Sequence, residues 1–532
     1  MKYAVLNLKG SFRESGPASR AAALATGPFT AHDALRFRVE KIVAKSSVDR
    51  VLIKKAAGFS AGSPANLASI HKLITKLREA GKQTAYYAAD YDLPDLYLAS
   101  ACDVRLIGPV GTIRPTGIHR SFLFFGKLLK QQKVEVDIYR HGKYKSAADG
   151  LTRTDLDPAN REQYEELLGA VYESWLTRIS DGYGVDRSKV DELMSGGILA
   201  AEEAREAGWI SEIKTANSLT ADWIKAGAKL FKVKKIKSSY GHGPKIVVLH
   251  LEGMIADGTS RPGGLVGEIA GADTFVPIVN AVRRDKSVRG VILRLNTPGG
   301  SATASEDIRA ALARLAETKP VVVSMAGVAA SGGYWVSTVG PIVADEITVT
   351  GSIGTVVARI NLRAMAERYG VTEDSIGYGP LAGAFSPFTK AAKEHQKAFE
   401  KAADSVYDSF LNLVATSRSM DVDAVKERAE GHVWTGTAAF SRGLVDKVGD
   451  FDGAVETMME KLGVEGVKLV SMPRVRLSFF ERMIRRNMPS TAIAADFGAD
   501  VTLLQSAPLL VAPELLLSEA NVTRLVGRLP LR

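Results

Sequence analysis

An internal duplication constrains the fold more than any other feature of this sequence, because five blocks of the first half recur in order in the second half. Lys-Tyr-Ala-Val-Leu-Asn-Leu-Lys-Gly at 2–10 corresponds to Lys-Ile-Val-Val-Leu-His-Leu-Glu-Gly at 245–253. The other pairs of blocks are 70–74 with 308–312, 97–100 with 334–337, 108–112 with 351–355, and 198–211 with 433–446. The separation stays between 235 and 243 positions, so the chain contains two copies of one unit.

Each copy alternates short apolar runs with helical patterns. Residues 51–53, 291–295 and 321–323 are apolar runs typical of buried strands, whereas 66–79 and 305–317 have helical spacing. This alternation predicts an α/β fold, with a parallel β-sheet and right-handed helical crossovers in each copy.

The duplication also predicts domain boundaries. The first repeat covers 1–232 and the second 244–472, and the Lys- and Gly-rich stretch between them is typical of a linker. Residues 473–532 have no counterpart in the first half. Apolar and basic residues alternate at helical spacing over 477–486, which fits a helix on a membrane surface or a segment that packs in an assembly.

Composition limits the classes of function. The 532 residues have a net charge of +10, but the charge is dispersed and no nucleic-acid motif accompanies it, so no nucleic-acid partner is expected. The single cysteine, Cys102, excludes an intrachain disulfide and is expected to be a buried structural thiol. No signal peptide is visible at the N-terminus, and the nearest approach to a membrane-spanning run, 507–517, is too short.

A turn rich in small residues lies at the centre of the second repeat. The sequence Ala-Gly-Val-Ala-Ala-Ser-Gly-Gly-Tyr-Trp at 326–335 follows an apolar run and precedes a predicted helix. Ser331 is therefore either a nucleophile presented at a strand-to-helix turn or the cap of the next helix. The first repeat has Pro94, Asp95 and Leu96 at the matching positions and has lost the hydroxyl.

A serine nucleophile requires a base, and the residues leave its identity open. The eight histidines form no triad pattern, although His432 is conspicuous in Gly-His-Val-Trp-Thr-Gly at 431–436. A buried lysine is the other option, because burial favours the neutral amine. Lys143, Lys145 and Lys390 are candidates; the first two follow an alternating strand pattern at 134–138, and the matching stretch 377–384 of the second repeat has no lysine.

Together these motifs resemble the long, tandem-domain form of the signal peptide peptidase A (protease IV) family, in the Clp protease/crotonase superfamily. The resemblance covers roughly 1–470 and rests on the sequences at 144–147, 295–306, 325–335, 351–354, 431–436 and 443–446. It implies two Clp/crotonase-like domains in tandem. It also implies that Ser331 is the nucleophile and Lys145 the general base.

An oxyanion requires preorganised N–H donors, and Gly300 and Gly332 are the candidates, with Gly299 beside them in the same substrate-binding turn. The alternative for 298–300 is a plain turn. This chemistry requires no metal and no other cofactor.

The resemblance implies a serine endopeptidase with a Ser-Lys dyad, which cleaves signal peptides or other extended apolar peptides at a membrane surface. It further implies a homo-oligomer, a tetramer, and the periplasmic side of a bacterial inner membrane, although a cytoplasmic location stays open. The alternatives are a crotonase-type acyl-CoA enzyme and an inactive membrane-organising scaffold.

Overall fold

A computed structural model describes residues 1–16, 28–233, 239–262 and 268–473. The stretches 477–486 and 507–517, and nearly all of the predicted tail, lie outside the described residues. Within the described ranges, no helix combines the length and apolar character needed to cross a bilayer.

The first half of the chain is built around a parallel sheet with strand order β10-β6-β5-β4-β1-β11. Its strands are β1 (Lys2–Leu8), β2 (Ser11–Arg13), β3 (Phe29–Ala31), β4 (Val48–Lys55), β5 (Gln83–Ala88), β6 (Val104–Ile107), β7 (Thr112–Ile113), β8 (Glu135–His141), β9 (Leu199–Ala200), β10 (Glu212–Ile213) and β11 (Lys229–Leu230). Its helices are α1 (His32–Val43), α2 (Pro64–Glu79), α3 (Leu93–Ala99), α4 (Gly126–Gln131), α5 (Asp149–Thr152), α6 (Pro158–Tyr183), α7 (Arg187–Ser195), α8 (Ala201–Glu206) and α9 (Ala216–Lys225).

The second half repeats this plan around a larger sheet, in which β12-β24-β13-β17-β18-β19-β23 form the main path and β20 and β22 extend it beside β18. Its strands are β12 (Ser239–Tyr240), β13 (Lys245–Glu252), β14 (Met254–Ala256), β15 (Arg261–Pro262), β16 (Glu268–Gly271), β17 (Val288–Thr297), β18 (Val321–Ala330), β19 (Ile342–Ala344), β20 (Val349–Gly351), β21 (Thr355–Asn361), β22 (Val433–Thr435), β23 (Lys447–Val448) and β24 (Lys468–Met472). Its helices are α10 (Ala272–Arg284), α11 (Ala302–Ala316), α12 (Gly332–Ser337), α13 (Arg363–Arg368), α14 (Lys393–Arg418), α15 (Val422–Arg428), α16 (Gly436–Ser441) and α17 (Phe451–Leu462).

The local sequence explains where these elements begin. For example, α2 begins at Pro64 because the Ser63 side chain accepts a hydrogen bond from Asn66 N and proline suits the first helical position. The predicted parallel strands lie in β4, β17 and β18, and the predicted helices lie in α2 and α11, so the fold class is confirmed. Cys102 is buried and free, as expected.

The junction between the halves is more structured than a plain linker. Ser239 and Tyr240 form β12, which pairs antiparallel with β24 before the predicted start of the second repeat. Residues 234–238 of the predicted linker lie outside the described residues. The boundaries 1–232 and 244–472 stay predictions.

Several contacts join the two repeats, and two of them lie outside the candidate site residues. Strand β8 leaves the first repeat and pairs antiparallel with β21 of the second, from Thr355 opposite His141 to Asn361 opposite Glu135. Elsewhere, Arg294 Nε donates to Glu14 Oε2 across 2.8 Å, with both side chains almost fully buried. Because removing either partner leaves an uncompensated buried charge, this ion pair fixes how the repeats dock.

Candidate functional site

Ser331 occupies a sharp turn between β18 and α12. Its backbone has φ 54° and ψ −121°, which is unusual for a residue with a side chain. Its N–H donates to Gly351 O at 2.9 Å, and its side chain makes no capping hydrogen bond. The helix-cap alternative is therefore wrong, and the strained turn leaves the hydroxyl available.

The glycine turn after β17 lies against the first residue of α12. A Cβ atom at Gly299, where φ is +99°, would lie 2.5 Å from Gly332 N, so only glycine allows this approach. Gly299 N–H already donates to Thr297 Oγ1 at 3.1 Å, which means that Gly299 shapes the turn and is not a free donor.

The N–H groups of Gly300, in this turn, and of Gly332, at the start of α12, are available. Gly300 forms a parallel bridge with Ile255, through Ile255 N to Gly299 O and Ser301 N to Ile255 O, so its own N–H points away from Ile255. Within the described residues, neither Gly300 N–H nor Gly332 N–H donates a hydrogen bond. These two predicted donors lie beside each other, next to Ser331.

Lys145 reaches this turn from the first repeat. Strand β8 delivers residues 142–146 to the second repeat, where Tyr144 N–H donates to Glu430 O at 2.8 Å. Lys145 Nζ lies 2.9 Å from Ser331 Oγ, although 186 positions separate the residues. The contact lies within one chain, a point that the sequence left open.

The surroundings of Lys145 favour its neutral form. The side chain is 4% exposed, and within the described residues none of its hydrogen-bond partners is a carboxylate. Burial lowers the pKa of Lys145 from 10.5 to about 7. An amine with this pKa is substantially unprotonated near neutral pH and accepts a proton readily.

Ser352 completes the environment of the amine. Lys145 Nζ contacts Ser352 O at 2.8 Å and Ser352 Oγ at 3.0 Å, so three oxygens surround it. Ser352 N–H in turn donates to His432 O at 2.7 Å. The motif Gly-Ser-Ile-Gly at 351–354 is visible in the sequence, but the sequence does not indicate what its serine contacts. The structure shows that Ser352 has a positive φ of 55°.

The other candidate bases lie elsewhere. Lys143 is exposed, with Nζ 5.0 Å from the centre of the Tyr144 ring, and Lys390 is also exposed. His432 stacks on Trp434 at 3.7 Å, and its Nδ1 lies 2.8 Å from Val433 O. Among the described residues, no histidine forms a hydrogen bond with Ser331 Oγ.

The site therefore combines a hydroxyl, a buried amine with a low pKa and two free N–H donors. These are the groups that attack a carbonyl, move the proton and stabilise the resulting oxyanion. Within the described ranges, no group of three or more His, Cys, Asp or Glu side chains is arranged to hold a metal ion.

Known proteins match both halves of the chain. The model of "Peptidase family S49" matches residues 76–230 and 313–465. The chain is 32% identical over 419 residues to the chloroplastic serine protease SPPA of Arabidopsis thaliana, which covers 76% of this chain and 62% of that protein. It is 33% identical over 433 residues to Protease 4 of Salmonella typhi, with 76% and 67% covered.

A shorter relative matches less of the chain. The putative signal peptide peptidase SppA of Enterococcus faecium is 35% identical over 219 residues, which cover 41% of this chain and 63% of that protein. The matches thus span roughly two thirds of the length of these relatives. Because the same family model matches twice and covers more than half of the sequence, the chain belongs to peptidase family S49, with the family's domain present in tandem.

Proposed function

We propose that this protein is a serine endopeptidase in which Ser331 is the nucleophile and Lys145 the general base. The observation that carries the proposal is the 2.9 Å contact between Lys145 Nζ and Ser331 Oγ, made by an amine whose pKa is lowered to about 7. Membership of a peptidase family and the names of the relatives support peptide-bond hydrolysis as the reaction.

In the acylation half of the reaction, neutral Lys145 takes the proton from Ser331 as Oγ bonds to the carbonyl carbon of the substrate. The N–H groups of Gly300 and Gly332 stabilise the oxyanion, and Ser352 holds the amine through two contacts. When the intermediate collapses, the C–N bond breaks and the Lys145 ammonium protonates the leaving amine.

In the deacylation half, water attacks the ester on Ser331. Lys145 accepts a proton from this water, and Ser331 Oγ leaves and takes the proton back, which restores the starting state. In this cycle, Lys145 takes the proton from Ser331 and from water, and it supplies the proton to the leaving amine and back to Ser331.

For substrates, we propose signal peptides or other extended apolar peptides, cleaved at a membrane surface on the periplasmic side. Such chains suit strand addition beside the glycine turn, which would place the scissile carbonyl at the N–H groups of Gly300 and Gly332. One relative carries signal peptide peptidase in its name. Sedimentation with anionic phospholipid vesicles tests the membrane contact, and recovery of all the protein in the supernatant at low salt would contradict it.

We further propose that copies assemble head to tail into a closed ring, a tetramer. Strand β7 pairs with β9 as β20 pairs with β22, which aligns Thr112 with Val349, six positions from the sequence match of 108–112 with 351–355. On this offset residues 372–378 correspond to β8 and residues 118–124 to β21, yet neither segment pairs with a strand in the described part of the chain. Apolar side chains are exposed in both segments: Ile376 and Tyr378 at 91% and 93% in one, and Leu123 at 54% in the other. In the proposed ring, segment 372–378 of one copy pairs with segment 118–124 of the next copy, as β8 pairs with β21 within one chain.

Sedimentation velocity tests this assembly. The wild type is expected to sediment as a multiple of the 57.0 kDa chain, and Tyr378→Asp as smaller species. Phe440→Asp is the matched control, because Phe440 is an exposed aromatic residue on α16 and belongs to neither segment. An unchanged size for Tyr378→Asp would contradict the head-to-tail contact.

The decisive experiment on the function is covalent labelling of the full chain by a serine-directed reagent, with peptide mapping. Ser331 is expected to carry the label, and Ser331→Ala is expected to lose both the label and the hydrolysis of an extended apolar peptide. If the reagent does not label the wild-type protein, the result would instead favour the acyl-CoA enzyme or the inactive scaffold.

A further inference from the structure

Gln163 lies at the point where the turn that carries the base meets the strand that supports the nucleophile. It projects from α6 and is 2% exposed. Its Nε2 donates to Tyr144 O at 3.3 Å, and its Oε1 accepts from Val433 N–H at 3.3 Å. One amide group thus hydrogen-bonds to both repeats.

The orientation of this amide is determined by its neighbours. Val433 N–H only donates and Tyr144 C=O only accepts, so the oxygen of Gln163 must face β22 and its nitrogen must face the turn. The nitrogen also donates to Asn160 Oδ1. The two faces of the amide therefore cannot be exchanged without loss of these bonds.

Each of the two hydrogen bonds, to Tyr144 O and from Val433 N–H, connects Gln163 to one member of the proposed dyad. On one side, Tyr144 immediately precedes Lys145. On the other side, Val433 pairs with Gly351, whose carbonyl accepts the N–H of Ser331 at 2.9 Å. The Gln163 side chain thus connects the segment that precedes Lys145 with the strand pair that holds the Ser331 N–H.

Behind Gln163, buried polar groups keep it in place. Asn160 is fully buried, and its Nδ2 donates to Asp157 at 2.7 Å and to Asp149 at 3.3 Å. Asp149 pairs with Arg140 at 2.5 Å, and Arg140 also donates to Lys145 O at 3.4 Å. The lysine turn is thus held at two successive carbonyls by one connected network.

We infer that Gln163 is a positioning residue that sets the separation of Lys145 and Ser331 by joining the two repeats. The inference rests on the proposed function. Because a misplacement of about 1 Å costs about 100-fold in rate, a buried amide that spans the joint controls the efficiency of proton transfer.

The test substitutes Gln163→Met, which keeps the length and volume but removes both hydrogen bonds. The rate is measured per Ser331 that can be labelled, so that unfolded protein does not count. We expect kcat to fall tenfold or more, KM to stay within twofold, and the acidic midpoint of the pH profile of kcat/KM to rise. The midpoint rises because a loosened turn admits water to Lys145.

Gln396→Met is the control, since Gln396 lies exposed on α14. Gln163→Glu is the second variant: it can still accept from Val433 N–H, but it cannot donate to Tyr144 O while ionised, and its charge raises the acidic midpoint further. If Gln163→Met does not fold, this variant carries the test.

Unchanged kcat and midpoint in either folded variant would overturn the inference, as would a loss of kcat without a shift of the midpoint. Failure of both variants to fold would assign Gln163 to stability alone and also overturn it. If the wild type is not labelled at Ser331, the proposed function fails, whereas a labelled wild type with an unchanged variant contradicts only the role of Gln163.

Discussion

The turns that lead from a strand into α3 and into α12 are stabilised in opposite ways. In the first repeat, Asp92 and Asp95 form a capping box at the start of α3, and Asp95 also contacts Lys55 Nζ at 2.7 Å and Tyr86 Oη at 2.6 Å. In the second repeat, Ser331 has a left-handed φ, and its side chain does not cap α12. One turn satisfies its own polar groups, and the other leaves its hydroxyl for an outside partner.

A lysine turn is present in the first repeat and absent from the second, the reverse of the distribution of the serine. The first repeat carries Lys145 in the turn four residues after β8, whereas the matching stretch 377–384 of the second repeat has no lysine. Each repeat therefore keeps one member of the proposed dyad, and the two meet only because β8 crosses to β21. Each repeat lacks the residue that the other supplies.

The largest expected effect comes from the lysine. Lys145→Ala should lower kcat by about 10³-fold or more, because the hydroxyl of Ser331 loses its proton acceptor. Lys143→Ala, two positions away and exposed, is the matched control and should stay within twofold of wild type. Steady-state hydrolysis of one peptide by both variants checks this, and a Lys145→Ala variant as active as the control would eliminate the proposed base.

The pH dependence of kcat/KM sharpens the comparison. Because burial lowers the pKa of Lys145 to about 7, the neutral amine is lost below that pH. The rate should fall about tenfold per unit below pH 7 and level off above it. A limb that keeps rising to pH 10 would mean that the amine is solvated and that the dyad geometry is not the active one.

The same pKa affects stability with a definite sign. Between pH 7 and 10.5 the unfolded chain binds a proton at Lys145 that the folded chain has released. From this residue, the free energy of unfolding therefore rises with pH in that window. In Lys145→Met this contribution should vanish, which denaturation at pH 7 and pH 10 measures.

The smallest effect on activity is expected at the capping box of α3. Asp95→Ala removes a capping box and leaves Lys55 and Tyr86 without a buried partner, so it should cost about 1–3 kcal/mol of unfolding free energy. The rate per labelled Ser331 should change less than twofold. Asp155→Ala, at a 72% exposed side chain, is the control in urea denaturation. A large loss of rate in Asp95→Ala would show that the closed turn serves the reaction.

Much of the molecule followed from the sequence because its signals are local. Apolar runs at 291–295 and 321–323 predict β17 and β18, and the duplication transfers that prediction between the halves. Ser331 and Lys145 were predicted from a resemblance in short motifs, and the structure brings their side chains together.

What the sequence did not predict depends on contacts between distant segments. The β8–β21 pair, the two contacts of Ser352 with Lys145 and the bridge through Gln163 join residues of different repeats. Nothing in the local pattern of a helix distinguishes Gln163 from an exposed glutamine such as Gln396. The sequence likewise does not show that Gly299 N–H donates to Thr297 Oγ1, two residues away, which distinguishes Gly299 from the proposed donors Gly300 and Gly332.

The crossing of β8 to β21 also sets an order of events during synthesis. The ribosome releases Lys145 well before Ser331, 186 positions later, and Ser352 and Val433 follow still later. Until the second repeat has emerged and folded against the first, Ser331 lacks its proposed base, and Lys145 lacks the contacts with Ser331 and Ser352 that surround its amine. In a nascent chain built in this way, the proposed dyad is assembled only after both repeats have folded against each other.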